Sequence, residues 1–237
     1  MHKVWIFEGT VSYKMNSQAD YARARGYLKH YGVDRFLSNL IELGVVGSNE
    51  IILPATKPFN PFARLASGDD KPAYGNILQS LGLSESDCDF IVVKNLPVND
   101  ANWNNLEKAS KGEASMGLRH RFIIPRDPYW SSFNVLTIGL GKRSNDLEKS
   151  ISFLKSMKKA ALDYVSKDRA VNKGSDHEWS ENIGLFFHVF PFNSVQYLHL
   201  HVVDLDATGA AFGHMYHKNL NIDYVINQLE LELKTKN

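Results

Sequence analysis

The sequence predicts an α+β fold, with an antiparallel sheet and packed helices over residues 83–237 and a smaller N-terminal α/β region over residues 1–82. Residues 194–204 alternate between polar and apolar side chains, which is the period-2 pattern of a strand with one buried face. Residues 145–165 place apolar side chains at helical spacing, as expected of a helix that packs on a sheet. No pattern in residues 1–82 indicates a role for that region.

The strand predicted at residues 194–204 carries two histidines at alternate positions. His199 and His201 share one face with Tyr197, and apolar residues occupy the opposite face. Two residues of strand rise would separate the imidazoles by about 7 Å. Imidazole is the side chain best suited to nucleophilic or acid–base work near neutral pH. The strand therefore holds candidate catalytic residues.

The other strands are predicted from short apolar runs and the other helices from helical spacing. Strands are expected over residues 4–13, 90–95, 121–125, 133–139 and 183–190, and helices over 17–43 (broken at Gly26 and Gly32), 145–165 and 223–233. Asn145, followed three residues later by Glu148, predicts the N-cap of the second helix. Residues 99–117 are rich in Asn and Lys and predict a long polar insertion.

Composition and charge argue against several classes of protein. The formal net charge is +1 over 237 residues, so no strong field for a nucleic acid or a membrane is expected. No apolar segment is long enough to span a bilayer, and the N-terminus is too soon interrupted by charge to resemble a signal peptide. Cys88 is the only cysteine, which excludes an internal disulfide. We therefore expect a cytoplasmic protein, with a nuclear location as the alternative, and no membrane partner.

The histidine strand resembles the signature of the histidine triad (HIT) superfamily, His-φ-His-φ-His-φ-φ with φ apolar, except that Tyr197 takes the place of the first histidine. Within that superfamily, three further stretches resemble the scavenger mRNA decapping enzymes. Residues 122–130 are similar to their strand that ends in Pro-Asp-x-Lys-Trp, residues 135–147 to their basic turn and helix entry, and residues 217–231 to their closing helix. The resemblance implies a HIT-like core, a homodimer, and a nucleotide or capped-RNA fragment as ligand.

The resemblance also implies the chemistry. HIT hydrolases cleave nucleotide phosphoanhydrides without a metal or cofactor, through a nucleotidyl-histidine that forms on the middle histidine. In this register His199 is the nucleophile and His201 the third histidine, although the spacing to the closing helix leaves His201 open as the nucleophile. Tyr197 can donate a hydrogen bond but carries no positive charge at neutral pH. We expect an enzyme, a HIT-type hydrolase or transferase, that acts on a cap-like or dinucleoside polyphosphate substrate.

Six further residues are candidate substrate contacts. By the same resemblance, Ser194 is expected to donate to a phosphate oxygen and Asn95 to lie near the nucleotide, while His188 on the neighbouring strand is placed to reach the same pocket. Arg126, Asp127 and Trp130 match the stretch that contacts the cap in decapping enzymes. Trp130 or Tyr129 would then stack on the guanine base. Some of them also have a purely structural explanation: Ser194 as a strand-entry hydroxyl, His188 as the filling of a partly buried face, and Trp130 and Tyr129 as part of the core.

Two other classes of function stay open. In the first, the chain is a non-catalytic HIT-like nucleotide-binding or interaction module, because Tyr197 removes a positive charge that phosphoryl transfer uses. In the second, His188, His199 and His201 bind zinc or iron, since two histidines of one strand and one of its neighbour can form a facial metal site. A turnover assay tests the first alternative, and metal analysis tests the second.

Overall fold

A six-stranded antiparallel sheet forms the centre of the protein in this computed structural model, which describes residues 14–53, 60–67, 77–81, 89–141 and 147–236. The strands are β1 Ile77–Leu81, β2 Phe90–Lys94, β3 His120–Pro125, β4 Ile183–His188, β5 Leu200–Asp204 and β6 Asn219–Asn221. Their order in the sheet is β1-β2-β3-β5-β4-β6, and every neighbouring pair is antiparallel. The predicted α+β, HIT-like fold is confirmed.

Helices precede, interrupt and follow the strands. They are α1 Gln18–Tyr31, α2 Val33–Glu42, α3 Pro61–Ser67, α4 Pro97–Ala101, α5 Leu106–Ser110, α6 Leu147–Val171, α7 Ala210–Met215 and α8 Ile222–Lys236. The long helix α6 packs on the sheet through Phe153, whose ring centroid lies 5.3 Å from that of Phe90 in β2. It also contacts α8 along its length. Among the described helices, none combines the length and the apolar character needed to cross a membrane.

The N-terminal helices share one hydrophobic core with the sheet. Tyr21 of α1 and Phe36 of α2 belong to the same buried cluster as the strand residues. The Tyr21 hydroxyl donates to the Val135 carbonyl at 3.0 Å. A buried ion pair also joins α1 to α8, since Arg25 Nε lies 2.8 Å from Glu232 Oε1. Residues on either side of position 82 thus pack together, and the division into two domains there stays a prediction.

Several predicted elements differ from the structure. The strand expected at residues 133–139 is wrong, because two short 3₁₀ helices occupy this stretch, Trp130–Phe133 and Val135–Thr137. Asn134 stabilises the second one, accepting a hydrogen bond from the Leu136 amide at its side-chain oxygen. Helix α1 runs through Gly26 and ends only at Gly32, which has a positive φ of 101°. The strand expected at residues 4–13 and the N-cap at Asn145 lie outside the described residues.

The remaining predictions are closer. Strands β2, β3 and β4 and helices α6 and α8 lie where the sequence predicts them, with shifts of at most six residues at their ends. The polar insertion at residues 99–117 contains most of α4 and all of α5. The histidine strand is shorter than predicted, because regular pairing in β5 begins at Leu200. Leu162 of α6 belongs to the apolar pattern that predicted this helix, but it is 42% exposed and not buried.

Candidate active site

Three adjacent strands bring four histidines to one face of the sheet. In the strand register, Phe122 of β3 and Phe186 of β4 both lie opposite His201 of β5. Side chains two residues apart on a strand share a face. His120 therefore lies on the same face as Phe122, and His188 on the same face as Phe186. His199 immediately precedes β5 and completes the group.

The rings of these histidines form one contiguous cluster. The ring centroid of His201 lies 4.0 Å from that of His188, 4.9 Å from that of His199 and 5.2 Å from that of His120. One ring nitrogen each of His188, His199 and His201 lies within 4.8 Å of the other two. All four side chains are buried. We call these four residues the histidine cluster.

A backbone hydrogen bond fixes the proton on His199. Its Nδ1 lies 2.6 Å from the Tyr197 carbonyl oxygen, which can only accept. Nδ1 of a neutral imidazole must therefore carry the proton, and Nε2 keeps its lone pair. Of the two predicted nucleophiles, His199 thus presents an unprotonated nitrogen to the cluster.

A chain of two hydrogen bonds fixes the opposite tautomer on His201. The Met116 amide donates to His120 Nδ1 at 3.3 Å, so His120 carries its proton on Nε2. That nitrogen lies 3.0 Å from His201 Nδ1 and donates to it. The proton of His201 is then on Nε2, which is buried and has no hydrogen-bond partner among the described residues. The cluster therefore holds a free lone pair on His199 and a free donor on His201.

His188 is held by its strand neighbours. Its Nε2 lies 2.9 Å from the side-chain oxygen of Asn219 in β6, so Nε2 donates and Nδ1 is unprotonated. The side chain of Asn134 donates to the His188 carbonyl at 3.3 Å. The ring of His188 also lies beside that of His201, and its role as a substrate contact stays a prediction.

Helix α3 covers part of the cluster. The Phe62 ring centroid lies 5.0 Å from that of His199 and 5.2 Å from that of Phe122. Asn60 positions this helix, since its side chain accepts from the Ala63 amide at 3.1 Å and donates to the Gln196 carbonyl at 2.8 Å. As a result, His199 and His201 are each only 5% exposed. The histidine face of the sheet is therefore not open to solvent, because α3 and the aromatic side chains cover His199 and His201.

Burial keeps the cluster neutral. Desolvation lowers the pKa of His199 to about 4, with Lys218 acting in the same direction against the hydrogen bond to Tyr197. Desolvation, aided by Arg121 and His199, lowers the pKa of His120 to about 3. The pKa values of His188 and His201 also fall well below the usual value, first through burial and then through neighbouring charges. At neutral pH the cluster offers lone pairs and N–H donors without a net charge of its own.

Lys218 supplies a positive charge close to the cluster. Its ammonium donates to the Phe192 carbonyl at 3.3 Å, and its charge opposes protonation of His188, His199 and His201. Partial burial lowers the pKa of Lys218 itself. A cation placed beside neutral donors favours an anionic ligand.

Tyr197 is buried and engaged with the backbone. Its hydroxyl lies 2.9 Å from the Pro125 carbonyl and 3.2 Å from the Asp127 carbonyl, and so donates to the end of β3. Burial, followed by the charge of Asp127, raises the pKa of Tyr197 above its usual value. Its backbone carbonyl, rather than its phenol, contacts the cluster through His199. The prediction that Tyr197 takes the place of a first histidine stays a prediction.

Two predicted substrate contacts have no recorded bond to the cluster. Ser194 is exposed in the loop that precedes β5. Asn95 follows β2, where its side chain donates to the Ser115 hydroxyl at 3.1 Å and accepts from the Leu96 amide at 2.9 Å. Within the described residues, no hydrogen bond connects either side chain to a histidine of the cluster. Asn95 instead organises the turn between β2 and α4.

Residues 126–130 include the side chains expected to contact a cap, but most of them are buried or bonded within the fold. Trp130 is 1% exposed, so a base could stack on it only if the surrounding core opened. Tyr129 is 4% exposed. The Asp127 carboxylate accepts from the Tyr129 amide at 3.0 Å. Arg126 is partly exposed, and its buried Nε has no hydrogen-bond partner in the described part of the chain.

Two residues of this site, His120 and Lys218, were not among the candidates predicted from the sequence. His120 begins β3, one residue before the predicted strand, and its spacing from Phe122 would have placed both on one face. Which strand lies beside β3 is decided by the tertiary fold, so the contact with His201 had no local signal. Lys218 lies in a 3₁₀ turn before β6, and nothing in its surrounding sequence indicates a position beside the histidines.

Comparison with known proteins supports the resemblance over the same region. Residues 119–217 match the family model described as "Scavenger mRNA decapping enzyme C-term binding". This match spans under half of the chain but includes all four cluster histidines. No curated protein and no solved structure matches the chain. The matched region, the fold and the histidine cluster together support a place for this part of the chain in the HIT-like superfamily, whose members bind or hydrolyse nucleotides.

Proposed function

We propose that the protein hydrolyses a nucleotide phosphoanhydride, in a cap-like or dinucleoside polyphosphate substrate, through a nucleotidyl-histidine on His199. The observation that carries the proposal is the pair of opposite tautomers in the cluster. His199 Nδ1 donates to the Tyr197 carbonyl at 2.6 Å, which leaves a lone pair on its Nε2. Its ring centroid lies 4.9 Å from that of His201, whose Nε2 donor has no partner among the described residues. A nucleophile next to a donor is what transfer of a phosphoryl-type group requires.

In the first step, His199 Nε2 attacks the α-phosphorus and forms a P–N bond as the bond to the leaving phosphate oxygen breaks. The imidazole becomes positively charged, and the hydrogen bond from Nδ1 to the Tyr197 carbonyl stabilises that charge. The His201 Nε2–H donates to a phosphate oxygen of the substrate, and Lys218 offsets the negative charge of the bound polyphosphate. In the second step, water attacks the phosphorus and releases one proton to the solvent, the P–N bond breaks, and His199 regains its lone pair as nucleoside monophosphate leaves.

Replacement of the nucleophile tests this reaction. His199→Asn should abolish turnover of cap dinucleotide and diadenosine polyphosphates while nucleotide binding, measured by calorimetry, remains within several-fold of wild type. Wild-type protein quenched during turnover in alkaline denaturant, which preserves the acid-labile P–N bond, should carry a nucleotidyl group on the peptide that contains His199, detected by mass spectrometry. His214→Gln serves as the matched control, because His214 is exposed on α7 and outside the cluster.

The same experiment separates the competing assignments. Turnover by His199→Asn together with loss of turnover in His201→Asn would move the nucleophile to His201. Nucleotide binding by the wild type with no turnover of any substrate would support the non-catalytic binding module. Neither binding nor turnover would contradict both nucleotide proposals.

We also propose that the protein forms a homodimer, as the resemblance to HIT proteins implies. Light scattering should give twice the chain mass of 26.8 kDa at micromolar concentration. A value equal to the chain mass at the concentration used for the turnover assay would contradict this proposal.

A further inference from the structure

Three histidines of the cluster share an arrangement that the hydrolysis mechanism does not require. His188, His199 and His201 come from two strands and the segment between them, and one ring nitrogen of each lies within 4.8 Å of the other two. No carboxylate belongs to this group of three. The unprotonated nitrogens of His188 and His199 are ready to coordinate a cation without losing a proton.

A hydrogen bond at the second ring nitrogen also orients each of the three rings. The second nitrogen of His199 donates to the Tyr197 carbonyl at 2.6 Å, and that of His188 to the Asn219 side chain at 2.9 Å. The second nitrogen of His201 bonds to His120 at 3.0 Å. Histidines that bind metals almost always have such a partner, which sets the tautomer and the ring orientation. The cluster therefore has both the ligand atoms and the supporting contacts of a metal site.

The dimensions fit a tetrahedral ion after a small adjustment. Zn²⁺ binds imidazole nitrogen at about 2.0–2.1 Å, which places neighbouring ligand nitrogens about 3.3 Å apart in a tetrahedral site. The nitrogens here lie within 4.8 Å of one another, so ring movements of about 1 Å would close the site. Three imidazoles leave the fourth position of a tetrahedral Zn²⁺ to water.

We propose that His188, His199 and His201 bind Zn²⁺, and that the bound ion switches off the nucleotide hydrolysis proposed above. Coordination uses the Nε2 lone pair of His199, which is the same electron pair that attacks phosphorus. The two events therefore exclude each other. Binding of the ion stands on the geometry alone, whereas the inhibition rests on the proposed function.

The link to His120 makes the two states chemically distinct. In the metal-free state, His120 donates to His201 and leaves a donor on His201 Nε2 for a phosphate. To coordinate, His201 must instead carry its proton on Nδ1 and donate to His120. The proton of His120 then moves to its Nδ1, at the expense of the 3.3 Å bond from the Met116 amide. When His120 donates to His201, the Nε2–H of His201 can bind an anion. When His201 donates to His120, the Nε2 lone pair of His201 can bind a cation.

Metal binding is tested on the full-length protein after chelation and dialysis. Calorimetric titration with Zn²⁺ should show one site per chain. Co²⁺ should give the intense visible absorption of tetrahedral coordination, and Mg²⁺ should not bind. His188→Leu should weaken Zn²⁺ binding at least tenfold while circular dichroism stays unchanged, and the exposed control His214→Gln should bind as the wild type does.

Two further variants keep the test decisive if His188→Leu fails to fold. Asn219→Asp places a carboxylate behind His188 and should tighten Zn²⁺ binding by about 10–100-fold. Lys218→Met removes a cation beside the cluster, so it should tighten Zn²⁺ binding and weaken nucleotide binding. No Zn²⁺ binding by the wild type, or equal affinities in wild type, His188→Leu and Asn219→Asp, would overturn the proposal.

The activity assay separates this inference from the proposed function. Loss of turnover with one equivalent of Zn²⁺, restored by EDTA, supports both. If the protein binds Zn²⁺ but turns over no nucleotide, the metal site is supported and the proposed hydrolase activity is contradicted. Turnover that Zn²⁺ does not change, in a protein that binds Zn²⁺, contradicts the switch.

Discussion

Acidification should destabilise this protein well above the pH at which carboxylates titrate. The histidine cluster is buried and neutral in the folded state, with the pKa of His199 lowered to about 4 and that of His120 to about 3, chiefly by desolvation. In the unfolded chain both return to about 6.5. Below pH 6.5 the unfolded state binds protons that the folded state does not, so the free energy of unfolding falls as pH falls. The loss continues until the folded pKa of each histidine is reached.

The magnitude follows from linkage. Between pH 7 and pH 5, one histidine that titrates only in the unfolded state removes about 2 kcal/mol from the free energy of unfolding. His120 and His199 together remove about 4 kcal/mol, and His188 and His201 act in the same direction because their pKa values are also lowered. That is a large share of the roughly 5–15 kcal/mol by which a typical domain is stable.

Urea unfolding at pH 7 and pH 5, followed by tryptophan fluorescence, measures the effect. Wild type should lose several kcal/mol between the two pH values, and His120→Phe should lose about 2 kcal/mol less than wild type because one titrating group is gone. His214→Gln, which changes an exposed histidine, should behave as wild type does. Equal free energies of unfolding at pH 7 and pH 5 would refute the claim that the cluster is buried and neutral.

Three further predictions follow from individual contacts. Turnover should keep its pH 7 rate down to about pH 5 while the protein remains folded, since His199 with its pKa of about 4 stays unprotonated; a fall in kcat/KM centred near pH 6.5 would contradict this. Glu232→Gln should destabilise the protein by about 3–5 kcal/mol in the same urea assay, because it leaves the fully buried Arg25 guanidinium without its carboxylate. The control Asp163→Asn breaks an exposed ion pair and should cost less than about 1 kcal/mol. Tyr197→Phe should cost about 1–3 kcal/mol, because the buried Pro125 carbonyl loses its donor; an unchanged urea midpoint would show that the hydroxyl bond contributes nothing.

The sequence determined those features that depend on spacing along the chain. Short apolar runs identified β2, β3 and β4, and helical spacing identified α6 and α8, because burial leaves these patterns in the local sequence. The alternation of polar and apolar residues over 194–204 likewise indicated that His199 and His201 share one face. The strand prediction at residues 133–139 was wrong because an apolar run does not by itself specify a strand. The side-chain bonds of Asn134 favour 3₁₀ turns there.

Tertiary structure alone decided how the histidines meet and what they can do. Strand order placed β3 and β4 on either side of β5, which brought His120 and His188 to His201 from positions about 81 and 13 residues away in sequence. Burial then lowered their pKa values, and the Tyr197 carbonyl, the Asn219 side chain and the Met116 amide fixed the tautomers. A local pattern specifies which face a side chain occupies, whereas pairing between strands distant in sequence depends on the free energy of the whole core.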